Sequence, residues 1–245
     1  MIILASDTSS SSGSVALRGP DGALYREELK RSRPHSETLL PAVESVLSAA
    51  GLDRGDVEVL AVGTGPGAFT GLRVGLATFK GWAAASDLPL VPVVSMDAVA
   101  WPLLKRGSSA IVLSDARKGE VYAAYYPASG DSALPERSGG IILIPLEDVQ
   151  EWVFSIGDPD VQLIGTALPV LLQAGHHFGG AGIGEGPGAP DAECILTLGE
   201  KLYQMGRGIA PHVLVPTYVR TPDAKKPAPG SIITGTAARG KGSRI

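Results

Sequence analysis

The chain opens on an apolar run, residues 2–7, that ends in Asp7-Thr8. That pattern predicts a buried strand with a loop at its tip. Residues 14–18 and 23–29 predict two more strands, separated by Gly19-Pro20-Asp21-Gly22, a strong turn signal. Over residues 36–50, Leu39, Leu40, Val43, Val46, Leu47 and Ala50 recur at helical spacing, and Gly51 stops the helix. A short strand, 59–62, then runs into the glycine-rich loop Gly63-Thr64-Gly65-Pro66-Gly67. A second helix is predicted over 70–86, a strand over 90–94, and a helix over 96–104 that Pro102 interrupts.

The same order of elements recurs in the second half without a sequence repeat. Strands are predicted at 110–114, 120–126 and 140–144, with a turn at 116–119. A helix at 146–154, a strand at 161–164 and a short helix at 167–174 follow. Residues 179–190, rich in Gly and Pro, read as a loop, and 194–207 as a last helix that could return to the first half. The predicted fold class is α/β, two related half-domains, each with a mixed sheet and helices. The division is 1–106, 107–222 and a tail, 223–245, where Pro, Gly and Lys dominate and disorder is expected.

Composition agrees with a packed core: 44% of the 245 residues are hydrophobic and 19% charged. No apolar run approaches the roughly 20 residues that span a bilayer. The start has no basic segment and reaches Asp7 at once, which argues against a signal peptide. Cys194 is the single cysteine, so neither a disulfide framework nor a thiolate metal site is expected. A cytoplasmic protein without membrane contact fits these features. The net charge of −4 is uneven: Lys225, Lys226, Arg239, Lys241 and Arg244 outweigh Asp223 in the tail, which leaves −8 on the body. Such a body does not look like a nucleic-acid binder by itself, and the tail reads as a solubilising segment.

The loop Gly63–Gly71 matches neither G-x-x-x-x-G-K-[ST] nor G-x-G-x-x-G. It fits a tight strand-to-helix turn with Thr70 as N-cap better than a phosphate loop. In the helix that follows, Gly71, Gly75, Thr78 and Trp82 share one face, and Arg73 and Lys80 are nearly its only charges. So apolar a helix must be covered on more than one side. Packing inside the chain and packing on a partner, together with Leu39, Val43, Val46 and Leu47 of the first helix, are equally open readings. Asp7 at its strand tip could sit near a metal-bound phosphate, with Thr8, Gly65 and Gly67 as companions, or could simply cap its loop. No G-x-S-x-G elbow is present, and His35, His176, His177 and His212 form no metal-ligand pair at helical spacing.

Taken together, Leu4-Ala5-Ser6-Asp7-Thr8, His35-Ser36-Glu37 with Leu40-Pro41, residues 63–73, Asp115-Ala116-Arg117-Lys118-Gly119-Glu120-Val121-Tyr122 and Pro216-Thr217-Tyr218-Val219-Arg220 resemble the bacterial TsaB (YeaZ) family of tRNA threonylcarbamoyladenosine biosynthesis proteins. The resemblance spans residues 1–222. It implies an actin-like ATPase fold (RNase H-like, ASKHA) of two lobes. It also implies a non-catalytic subunit that supports its paralogue TsaD, which transfers threonylcarbamoyl to the adenosine beside the anticodon of tRNA. TsaE would join through the TsaB–TsaD interface, TsaC would supply the activated adenylate, and tRNA would be met indirectly. The first two helices would pack on those of TsaD. The His-x-x-x-His metal pair of TsaD falls here on Ser95 and Val99, so neither metal ligands nor catalytic residues are expected, and nothing supports a protease. No cofactor is required on this reading, and ATP or ADP at the TsaD interface stays open. An actin-like protein that binds or hydrolyses nucleotide through Asp7 and the loop 63–71, and a homodimer formed when TsaD is absent, are the competing expectations.

Overall fold

The computed structural model describes residues 1–128, 134–186 and 188–220. The tail expected at 223–245 lies outside the described residues. The first half builds a five-stranded sheet from β1 (Ile3–Asp7), β2 (Ser14–Arg18), β3 (Leu24–Glu28), β4 (Val59–Gly63) and β5 (Leu90–Val93), in the order β3-β2-β1-β4-β5. β1 pairs antiparallel with β2 and parallel with β4. Both β1 and β4 are buried along their whole length, as uninterrupted apolar strands covered on two faces must be. β3 alternates exposed and half-buried residues, the pattern of an edge strand with one wet face.

The second half repeats this plan. β6 (Ala110–Arg117), β7 (Glu120–Tyr126), β8 (Ile142–Pro145), β9 (Gln162–Ile164) and β10 (Gly182–Ile183) form a sheet in the order β10-β9-β6-β7-β8, again with two antiparallel and two parallel pairings. β10 falls inside the segment expected to be a loop. Two residues among glycines carry no apolar run, so only pairing with β9 defines that strand. β6 also runs further than its apolar stretch, to Arg117, and leaves a turn at Lys118-Gly119.

Helices α1 (His35–Ala50) and α2 (Phe69–Ser86) cover one face of the first sheet. α6 (Ala192–Gln204) crosses the other face, where a methyl group added at Gly199 would lie 2.5 Å from Ala61 Cβ. Asp191 caps α6 by accepting from Glu193 N at 2.8 Å and is held by the Arg26 guanidinium. α4 (Val149–Ile156) and α5 (Leu168–Gln173) cover the second sheet.

Between the lobes lies α3 (Ser95–Leu104), which continues through Pro102 rather than breaking there. Its Ala98 and Trp101 join the core of the first sheet, and Met96, Val99 and Leu103 join that of the second. Two lobes of matching strand order, wedged together by a helix buried on both sides, make an α/β actin-like fold.

Candidate functional site

The tip of β1 is pinned from three directions. Asp7 is fully buried, and its carboxylate accepts from Ser9 N (2.7 Å), Ser9 Oγ (2.6 Å) and Ser95 Oγ (2.5 Å). Ser95 Oγ in turn accepts from Gly65 N at 2.8 Å. Burial pushes the Asp7 carboxyl above its usual range, against the downward pull of the Ser9 and Ser95 hydrogen bonds and of nearby His35. Thr8 Oγ1 donates to Gly71 O at 2.8 Å, and Ser9 O accepts from Ala68 N at 2.6 Å. Ala68, not Thr70, is therefore the N-cap of α2, because the backbone of β1's loop draws the turn down onto itself.

The glycines of this region are spaces for that loop. A methyl group at Gly67 would sit 2.2 Å from Ser9 O, at Gly71 2.1 Å from Thr8 O, and at Gly75 2.3 Å from Thr8 Oγ1. Gly63 is equally closed, since its methyl would lie 1.9 Å from Asp7 Oδ2. Gly65 has φ of 89° and packs on Leu72.

Beside this loop a cleft of about 800 Å³ opens between the lobes. Leu72, Met96, Ala116 and Tyr122 give it an apolar lining, and Ser9, Ser10 and Gly67 lie along one wall. The opposite wall is the β6–β7 hairpin, where Arg117 and Lys118 hold φ of 63° and 56°. Left-handed backbone at two successive residues with side chains is costly and persists only where its surroundings hold it. Asp115 Oδ1 accepts from Arg117 N (2.8 Å), and Arg220 pairs with Glu120 and donates to Arg117 O (3.3 Å). The segment before Arg220 is tied to the first lobe by Thr217 N, which donates to Thr64 O at 2.8 Å. At the lip, Phe69 and Tyr218 are about half exposed, with ring centroids 6.1 Å apart, and the Arg73 guanidinium lies 3.8 Å over the Phe69 ring. Residues of the third, fourth and fifth motif segments thus meet around this cleft.

Of the nucleotide candidates, only Gly67 lines the cleft; Asp7, Thr8 and Gly65 are sealed beneath it. The one carboxylate in the lining is Asp115, already engaged by Arg117. The residues present therefore do not fit a metal-bound phosphate held by a carboxylate. Ser95 and Val99 are both core positions. Among the described residues no three His, Cys, Asp or Glu side chains gather where they could hold a metal ion.

The partner face needs a correction. Leu39, Val43, Val46 and Leu47 are buried in the chain's own core, and Gly71 and Gly75 face Thr8. Thr78 and Trp82 are half-buried. The apolar stripe of α1 faces the nearest sheet, as amphipathic helices do, so it is not available to another protein. What the helix pair exposes is different: Leu40 on α1, and Ala77, Gly81 and Ala85 spaced four apart on α2. A methyl group at Gly81 would meet nothing within 4 Å. The four-residue spacing of these small residues was the available sequence signal.

Residues 29–137 match the family model described as TsaD, tRNA N6-adenosine threonylcarbamoyltransferase. The chain is 31% identical over 232 residues to the tRNA threonylcarbamoyladenosine biosynthesis protein TsaB of Escherichia coli (strain K12), covering 94% of this chain and 99% of that one. It is 32% identical over 126 residues to the TsaB of Bacillus subtilis (strain 168), covering 51% and 55% respectively. Among solved structures, YeaZ from Pseudomonas aeruginosa superposes with a TM-score of 0.72 at 27% identity, over 89% of this chain and 99% of that one. A second structure, described as an uncharacterized protein with similarity to peptidase YeaZ from Pseudomonas aeruginosa, gives 0.75 at 28%, with the same coverage. The chain belongs to the TsaB family of tRNA threonylcarbamoyladenosine biosynthesis proteins.

Proposed function

We propose that this chain is a non-catalytic subunit of the system that places a threonylcarbamoyl group on the adenosine beside the anticodon of tRNAs reading ANN codons. It acts by binding TsaD and supporting it in an active form. The observation that carries this reading is the ridge of exposed small residues Ala77, Gly81 and Ala85 on α2, with Leu40 exposed on the neighbouring α1. Small residues at a four-residue spacing let another helix approach closely. A glycine inside a helix costs about 1 kcal/mol relative to alanine. Among the described residues Gly81 has no neighbour that would require it, and a close-packed partner supplies the reason.

The interior supports the same reading from the other side. Asp7, the residue best placed by sequence for phosphate chemistry, is consumed by hydrogen bonds to Ser9 and Ser95. TsaE joins through the TsaB–TsaD interface, any ATP or ADP sits there rather than against Asp7, and the complex acts in the cytoplasm. No helix among the described residues is long and apolar enough to cross a membrane. When TsaD is absent, the same ridge is suited to pairing with a second copy.

Reconstitution of tRNA modification from purified TsaC, TsaD and TsaE, with and without this chain, tests the proposal. Modification should require it. Full modification in its absence would remove the assigned role.

A further inference from the structure

The exposed cations of this molecule are not spread evenly. Arg18, Arg26, Arg54, Arg106, Arg137 and Arg220 are each paired with a carboxylate. Arg31, Arg33 and Arg73 are exposed and enter no ion pair among the described residues. All three lie at one end of the first lobe, where α1 and α2 both begin. A hollow of about 250 Å³ lies there, lined by Arg31, Arg33, His35, Ser11 and Thr70 among others, without a carboxylate. It shares Ser11 with the inter-lobe cleft, so the two adjoin across the first turn of α2, and Arg73 stands on that turn. On the far wall stands Arg117, whose side chain is 75% exposed and paired with Asp115.

We infer that this end of the molecule binds the phosphate backbone of single-stranded or looped RNA directly. One small anion could not meet cations strung along two adjoining hollows, whereas a chain of phosphates could. The positive ends of two helices add to the field. The half-exposed rings of Phe69 and Tyr218, with Arg73 stacked on the first, stand where a base leaving the backbone would find an aromatic face. The acidic body makes the gathering of three unpaired arginines here more telling, because elsewhere among the described residues Arg207 is the one exposed arginine without a carboxylate. Arg31 and Arg33 precede α1, and Arg73 stands one turn before the ridge proposed for TsaD, so TsaD pairing measured on each variant tells the two surfaces apart.

The test is anisotropy of a labelled oligouridylate titrated with the full-length chain over a range of salt. Binding should weaken linearly in log salt, with a slope of about −2 to −3 for three or four phosphates on a single strand. Arg31→Gln/Arg33→Gln/Arg73→Gln should bind at least tenfold more weakly and lose about two units of that slope. Phe69→Ser/Tyr218→Ser should lose about fivefold or more with the slope unchanged. Lys105→Gln/Arg207→Gln, which removes exposed cations elsewhere, and a variant with the five basic residues of the tail changed to Gln should both bind like the parent. Thermal melts and TsaD pairing of each variant show that the fold and the other surface are intact. No binding by the parent at low salt would overturn the proposal. So would a triple variant with parental affinity and slope, or loss of binding in the tail variant alone.

Discussion

Ser95 Oγ lies 2.5 Å from Asp7 Oδ2, and the same oxygen accepts from the Gly65 amide. One hydroxyl thereby joins the tip of β1, the glycine-rich loop and the first turn of α3, 88 residues away from the aspartate it serves. The position where the family resemblance places a metal ligand in TsaD is here a structural joint. Asp7 is correspondingly an internal acceptor rather than a group that faces a ligand.

Removing the joint should cost stability. Ser95→Ala leaves both Asp7 Oδ2 and the Gly65 amide short of a partner in a buried site. An unsatisfied buried group costs about 1–3 kcal/mol, more when charged, so a loss of about 3 kcal/mol is expected. Urea denaturation of the parent and the variant measures it.

Asp7 also gives stability a pH dependence. Its carboxyl is raised in the folded state, chiefly by burial, so folded protein holds that proton to higher pH than unfolded protein does. This contribution is fully present below the unfolded carboxylate range and is lost as pH rises through the raised folded value. Asp7→Asn, which cannot ionise, should therefore gain stability relative to the parent as pH goes from 4 to 8. Denaturation midpoints of both proteins across that range check the sign.

Two glycines of α2 should respond in opposite directions to the same substitution. Gly71→Ala drives a methyl to 2.1 Å from the Thr8 carbonyl oxygen, a backbone atom that cannot swing aside. Overpacking of this kind costs about 3 kcal/mol. Gly81→Ala meets open space and should stabilise the chain by about 1 kcal/mol. The same Gly81→Ala should weaken TsaD pairing, which a loss-of-fold explanation could not produce. Chemical denaturation and a pairing assay on the two variants separate these effects.

Val43→Glu places a carboxylate at a fully buried core position. It should yield insoluble or unfolded protein, with a penalty of several kcal/mol. Circular dichroism of the purified variant, or its absence from the soluble fraction, is the check.

The order of strands and helices was legible because each buried strand is a short apolar run and each helix carries a periodic stripe. The duplication of the two lobes was legible as a repeated order of those patterns. What periodicity does not contain is the body that covers a stripe. Leu39, Val43, Val46 and Leu47 announce an apolar face equally well whether it meets a sheet of the same chain or another protein, and here it meets the sheet. Gly71 and Gly75 likewise signal close approach without naming Thr8 as what approaches. The sealing of Asp7 depends on Ser95, which lies in a different element, and β10 exists only through its neighbour β9. The cleft motifs were found as segments, while their meeting required the fold.

The central claim is that the outer ridge of α1 and α2 binds TsaD, and the direct measurement is the affinity of purified TsaD for this chain and for Ala77→Glu. Ala77 is exposed, so the variant should melt like the parent. A charge in a close-packed helix interface should lower affinity at least tenfold, and tRNA modification should fall with it. Parental affinity in a correctly folded Ala77→Glu chain would contradict the account.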